Sequence, residues 1–177
     1  SSVSLMTSSA QTFLNSLSGE QKAKATFDFK SDERSNWFFT PVPRKGLELR
    51  EMSLEQQHHA AALLSTGLSQ VGYLKAKQIM SLEEILRLIE NSSTERRNPG
   101  KYNVSIFGTP SDKGTWGFRY EGHHLALNFT VANGKLVGTP TFFGSNPAKV
   151  PSGPHAGLRV LGDEEDFGRD LYKSLDA

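Results

Sequence analysis

Two periodicities divide the chain. Up to about residue 90 the apolar positions recur with the spacing of a helix, and from Tyr102 they alternate with period two. Residues 4–17 read as a helix that offers Leu5, Phe13, Leu14 and Leu17 to one face. Ser18 and Gln21 form a capping box for a second, short helical turn, and "KATFDF" alternates as a strand. "SNWFFTPVPRKGL" is extended or looped, because Pro41 and Pro43 exclude both helix and central strand. Ser53 and Gln56 repeat the capping pattern ahead of "SLEQQHHAAALLSTGL". There Leu54, Ala61, Leu64 and Leu68 share a face and Gly67 is the expected stop. "LSQVGYLKAKQIM" continues as helix, Ser81 and Glu84 start "SLEEILRLIE" in the same way, and the chain leaves through the polar loop "NSSTERRNPGK".

Four strands follow: "YNVSIFG", "TWGFRY", "HHLALNFTVA" and "KLVGTPTFFG". After a Gly/Pro-rich loop, Asp163 opens a last helix, with acids in its first turn and Phe167, Leu171 and Leu175 spaced for burial. Helices followed by a run of strands predict an α+β fold: N-terminal helices, an antiparallel meander of about four strands, and a C-terminal helix. Residues 1–177 are read as a single domain, a length that buries one good core.

Turn chemistry then predicts register. Asn133-Gly134 is a two-residue hairpin turn that sets Ala132 opposite Lys135, Asn128 opposite Thr139, Ala126 opposite Thr141 and Leu125 opposite Phe142. Taking Glu121-Gly122 as the preceding turn sets Arg119 opposite His124, Phe118 opposite Leu125 and Trp116 opposite Leu127. Both pairings send Trp116, Phe118, Tyr120, Leu125, Leu127, Phe129, Leu136 and Phe142 to one face, the core face. Thr115, Gly117, Arg119, His124, Ala126, Asn128, Thr139 and Thr141 fall on the other. On this register His123 points with the core and His124 to the polar side.

The consequence for chemistry is a polar hollow floored by Gly117 and Ala126. Arg119, His124, Asn128, Thr139 and Thr141 rim it as candidate binding residues for an anion or a small polar ligand. His123 and His124 are the candidate metal ligands. As strand neighbours they point to opposite faces, and His124 lies roughly 13 Å from Asn128 along the strand, so a shared ion needs ligands from elsewhere. Arg119 beside His124 also opposes a cation.

Composition narrows the field. Twenty basic and 19 acidic residues leave a net charge of +1, so no strong field directs the chain to nucleic acid. No apolar run approaches the ~20 residues of a membrane span. There is no cysteine, which removes disulfides, iron–sulfur clusters and thiolate zinc sites. His58 and His59 suit a helix surface, His155 a loop, and the acids at 163–166 a helix start rather than a metal cluster. No G-x-S-x-G, Walker loop or G-x-G-x-x-G occurs. Sequons at Asn91, Asn103 and Asn128 matter only in a eukaryotic secretory route.

The blocks "ERSNWFFTPVPRKGL", "ALLSTGLSQVGYLKAKQIMSLEEIL", "GTWGFRYEGHHLALNFT", "FFGSNPAKV" and "GLRVLGDEEDFGRDL" resemble the domain-of-unknown-function 3500 family from about Phe13 to Leu175. The resemblance implies no established activity. It implies a mostly bacterial family whose members often carry an export signal, hence a secreted or periplasmic location after signal removal, with a cytoplasmic one also compatible. It further implies that this chain corresponds to the N-terminal half of a longer protein, whose second half carries an H-x-H pair. Those histidines, on a C-terminal half or a second chain, would complete a site for copper or zinc with His123 and His124, as a metal-binding protein or metalloenzyme. The alternatives are a non-catalytic module binding an anionic or polar ligand on the polar sheet face, and a purely structural half-domain.

Overall fold

A computed structural model of the chain describes residues 2–175. Its elements run α1 (Ser2–Ser16), α2 (Gly19–Ala25), β1 (Thr26–Phe27), β2 (Leu47–Glu48), α3 (Leu54–Thr66), α4 (Gln70–Ile89), β3 (Asn103–Phe107), β4 (Trp116–Gly122), β5 (Leu125–Ala132), β6 (Lys135–Val137), β7 (Thr141–Phe143) and α5 (Gly162–Ser174). The fold is α+β, with one mixed, mostly antiparallel sheet ordered β1-β3-β4-β5-β6; β2 pairs with β3 and β7 with β5.

The capping boxes at Ser18/Gln21 and Ser53/Gln56 form as expected, each satisfying orphan amides of the first turn. Gly67 caps α3. Other local expectations yield to packing. "KATFDF" is strand only at Thr26–Phe27, because α2 runs to Ala25. Leu64 is buried as expected, but Leu54 is exposed, Ala61 and Leu68 are half-buried, and α3 buries Ala60 and Leu63 beside Leu64. Ser81 starts no helix: α4 runs unbroken from a cap at Ser69, and the Ser81 hydroxyl donates to the Gln78 carbonyl within it.

Helices α1, α3 and α4 pack on one face of the sheet. Met6 and Phe13 of α1, Leu63 and Leu64 of α3, and Ile79 and Leu82 of α4 join Val104, Ile106, Trp116, Phe118, Leu127 and Val131 in one apolar cluster. The opposite face is crossed by the irregular segment 28–46. It is fastened there by Arg34 Nη2 donating to Thr130 Oγ1 (3.2 Å) and by the Phe38 amide donating to Glu121 Oε2 (3.1 Å). We call this segment the strap.

The β4–β5 turn is displaced from the expected position. Gly122 pairs with Leu125, Arg119 with Asn128 and Phe118 with Phe129, so His123-His124 is the turn and Glu121-Gly122 belongs to β4. Glu121 is drawn into the strand because its carboxylate is buried against Arg119, Arg44 and the strap. Gly122 is drawn in because a Cβ there would lie 2.3 Å from the Tyr102 ring. The displacement is even, so the faces assigned to Trp116 through Phe129 survive it. At β7 the displacement is a single residue: Leu127 faces Thr141 and Ala126 faces Phe142, which reverses Thr141 and Phe142. The extra residue is absorbed where the chain leaves β6 at Gly138–Pro140, a stretch that Pro140 cannot add to the ladder. The backbone amide and Nδ2 of Asn128 close the gap by donating to the Pro140 carbonyl.

The last helix forms, but Phe167, Leu171 and Leu175 are not buried; they are 72%, 64% and 74% exposed. Ion pairs from Lys75 and Arg159 to Glu164, Glu165 and Asp166 hold α5 at its N-terminal end.

Candidate functional site

The turn that carries both histidines is held from three directions. The Tyr102 hydroxyl donates to the His123 carbonyl, the His124 amide donates to the Phe39 carbonyl, and the Gly144 amide donates to the His124 carbonyl, each at 2.7 Å. These contacts fix His124 at φ +59°, a left-handed conformation that costs a non-glycine residue roughly 1–2 kcal/mol. The alternation of a strand does not apply inside a turn. The two rings are therefore not sent to opposite faces: their centroids lie 4.3 Å apart, edge to face.

His123 is buried, and its Nδ1 lies 2.5 Å from Glu83 Oε1 and 3.2 Å from Arg97 Nη1. A carboxylate only accepts, so the Nδ1 proton is directed at Glu83 and Nε2 becomes the nitrogen left for a ligand. Arg97 steadies the pair from 3.7 Å and is itself locked on Glu90 by a two-pronged contact of 2.9 and 2.7 Å. His124 Nδ1 is buried without a hydrogen-bond partner among the described residues. Burial, and then the neighbouring His123, push its pKa below 6.5, which favours the neutral imidazole.

A cavity of about 480 Å³ opens over this pair, lined by Glu83, His123, Tyr102, Arg44, Arg96 and Lys101 among others. Its cations differ in availability. Arg44 donates to the carbonyls of Phe38, Thr40, Val42 and Gly122, so its guanidinium gathers the strap onto the hairpin. Lys101 is engaged with Glu95. Arg96 has no ion pair among the described residues.

The polar sheet face is filled at Arg119 and open only farther along, near Asn128. Arg119 has no exposed surface; it donates to the Glu33 carbonyl (2.7 Å) and Glu33 Oε1 (2.6 Å), and its Nε lies 2.7 Å from Glu121 Oε1. Burial raises the Glu121 pKa against the lowering pull of Arg119. The candidate binding residues are thus dispersed. Arg119 is enclosed beneath the strap, His124 sits at the hairpin tip, and the Thr141 hydroxyl donates to the Gly138 carbonyl. Asn128 stands opposite Arg119 in the ladder and meets Thr139 at a smaller cavity. Among the described residues no group of three or more His, Asp or Glu side chains is placed to hold a metal ion, and no helix is long and apolar enough to cross a membrane.

Sequence reasoning missed Glu83, Glu90 and Arg97. Glu83 carried a signal: it lies three residues from both Met80 and Leu86 on the buried stripe of α4, where an acid needs a partner. Arg97, in a polar loop, carried none.

Fold and site together define an α+β protein with a carboxylate-backed histidine pair at the tip of an antiparallel hairpin. The family model described as "Protein of unknown function (DUF3500)" matches residues 1–177, the whole chain, and the chain belongs to that family. No curated protein matches it, and no solved structure does.

Proposed function

We propose that the chain binds a small anionic molecule in the cavity over His123 and that the Glu83–His123 pair receives or delivers a proton at it. The observation that supports this is the 2.5 Å approach of His123 Nδ1 to Glu83, beside a cavity whose rim carries an unpaired arginine, Arg96. A carboxylate behind an imidazole fixes its tautomer and stabilises the imidazolium that forms when Nε2 takes a proton. A guanidinium is the group best shaped to hold a carboxylate or phosphate by two parallel hydrogen bonds. The test is a nitrogen-detected NMR titration of the imidazoles with phosphate and with malonate. We expect saturable shifts at His123 for at least one of them, weakened about tenfold in Arg96→Ala. No shift with either anion refutes the reading.

A second reading is favoured by the histidine pair itself. Metal-ligating histidines commonly rest their other nitrogen on a carboxylate, as His123 does on Glu83, and His124 offers a buried nitrogen without a partner. On this reading His123 and His124 contribute two ligands to copper or zinc, and a partner segment or second chain supplies the rest. Calorimetric titration with Zn²⁺ and Cu²⁺ decides: binding lost in His124→Ala supports the site, and no binding, or binding that survives that change, removes it.

A further inference from the structure

The second cavity, of about 180 Å³, lies beneath the earlier part of the strap and shares no lining residue with the one over His123. Its wall includes Arg34, Ser35, Trp37, Asn128, Thr130 and Thr139. These side chains are held in a particular way. Asn128 is buried, and its Nδ2 is committed to the Pro140 carbonyl at 2.9 Å, so Oδ1 is left as an acceptor with no protein donor among the described residues. The Arg34 guanidinium is fixed 4.2 Å over the Phe29 ring and donates from Nη2 to Thr130 Oγ1, with further N–H groups to spare. The Trp37 indole N–H has no protein hydrogen bond among the described residues, and the exposed Ser35 and Thr139 hydroxyls stand at the mouth with none either. Trp37 is half-buried, its ring centroid 6.5 Å from that of Phe142.

This set asks for a ligand that both donates and accepts. A simple anion would satisfy Arg34 but would face the Asn128 carbonyl oxygen with a second acceptor. An apolar ligand would strip water from the buried Asn128 amide and the half-buried Arg34 guanidinium without replacing it, which costs free energy at each group. A sugar ring meets every requirement: each hydroxyl is donor and acceptor at once, and its C–H face is apolar enough to lie on an indole. We infer that the Trp37–Asn128–Arg34 cavity is a binding site for a single sugar ring, either a free monosaccharide or the terminal residue of a glycan. The volume admits one ring, so recognition is confined to that residue.

The chain has two tryptophans, and Trp116 is fully buried with its indole donating to the Ser111 carbonyl. Sugar-dependent emission therefore reports on Trp37. The experiment titrates the chain with glucose, galactose, N-acetylglucosamine and glucuronate, with acetate and phosphate as controls, read by tryptophan emission and by ligand-observed saturation-transfer NMR. We expect saturable binding of at least one sugar, with a Kd on the order of 1 mM. In Trp37→Leu and Arg34→Ala, both at partly exposed positions that leave the core intact, the saturation-transfer signal falls at least about tenfold in affinity. Methyl glycosides separate the two sources. Equal affinity assigns the site to a glycan terminus, and binding of the free sugar alone assigns it to monosaccharide. Binding of no sugar, binding of acetate or phosphate in place of any sugar, or sugar binding untouched by both variants overturns the proposal.

Discussion

The β4–β5 hairpin carries two buried groups of charge, and they end differently. Under the strap, Arg119, Glu33, Glu121 and Arg44 close on one another and on backbone carbonyls, and Arg119 keeps no exposed surface. At the tip, the Glu83–His123 pair is equally buried, but one imidazole nitrogen, an unpaired arginine and a large cavity are left over. Burial and charge alone do not distinguish the two. The surroundings of what is left over do: Arg119 Nε and Glu121 Oε1 lack a hydrogen-bond partner among the described residues but are enclosed against each other at 2.7 Å, whereas the groups left at the tip line a cavity that a ligand can enter.

The sharpest way to break this comparison is at its closed end. Arg119→Met takes from Glu33 and Glu121 the cation they share and leaves only the longer contacts to Lys45 (3.8 Å) and Arg44 (3.7 Å), and we expect a loss of about 3 kcal/mol in urea unfolding. Removing all three charges together (Arg119→Met with Glu33→Gln and Glu121→Gln) recovers a large part of that loss if the network serves only the fold. At the open end, Glu83→Gln keeps the shape but withdraws the charge behind His123. We expect a smaller cost, about 1.5–3 kcal/mol, together with weakened anion-induced shifts at His123. Equal stability losses at both ends, with no change in ligand response, would erase the distinction.

Between the two lies Gly122. An alanine there presses its Cβ into the fully buried Tyr102 ring, whose hydroxyl holds the His123 carbonyl. Overpacking of this kind costs about 1–3 kcal/mol. Because the ring has nowhere to go, the His123 imidazole resonances should move with it, which a nitrogen-detected NMR spectrum of the variant checks.

The sequence made the faces of the hairpin legible but not its tip. Period-two alternation placed Trp116, Phe118, Leu127 and Phe129 on the core side, and even a wrong turn kept them there because the displacement was even. The turn itself depended on Tyr102 needing a glycine beside it and on Glu121 needing Arg119 and Arg44, contacts between residues far apart in the chain. Local turn propensity cannot encode such demands. The same limit hid the site. His123 and His124 were visible as residues, yet what backs them comes from the middle of α4 and from a loop, Glu83 and Arg97, and neither offered a motif. Arg119 was visible too, and its pairing with Glu33 of the strap, not its face of the sheet, decides that it is enclosed.

The smallest effect concerns Arg97, which stands behind the open end and is held by Glu90. The Arg97 guanidinium keeps the Glu90 carboxyl below its usual 4.5, so the folded state holds that proton less tightly than the unfolded chain does. A depressed carboxyl contributes stability that is present above the unfolded value and lost as pH falls through the folded one. Glu90 is partly exposed, so solvent screens the contribution and it stays well under that of the buried pairs. Its loss as pH falls through and below the ordinary carboxylate range should lower the urea midpoint slightly, and Glu90→Gln should remove that part of the slope. The same variant frees Arg97 to turn fully onto Glu83. If the tip works as an open site, ligand-free His123 shifts should then change with Glu90→Gln at neutral pH, where the Glu90 carboxyl of the parent is ionised. If they do not, Arg97 steadies the loop alone and His123 is positioned by Glu83 without it.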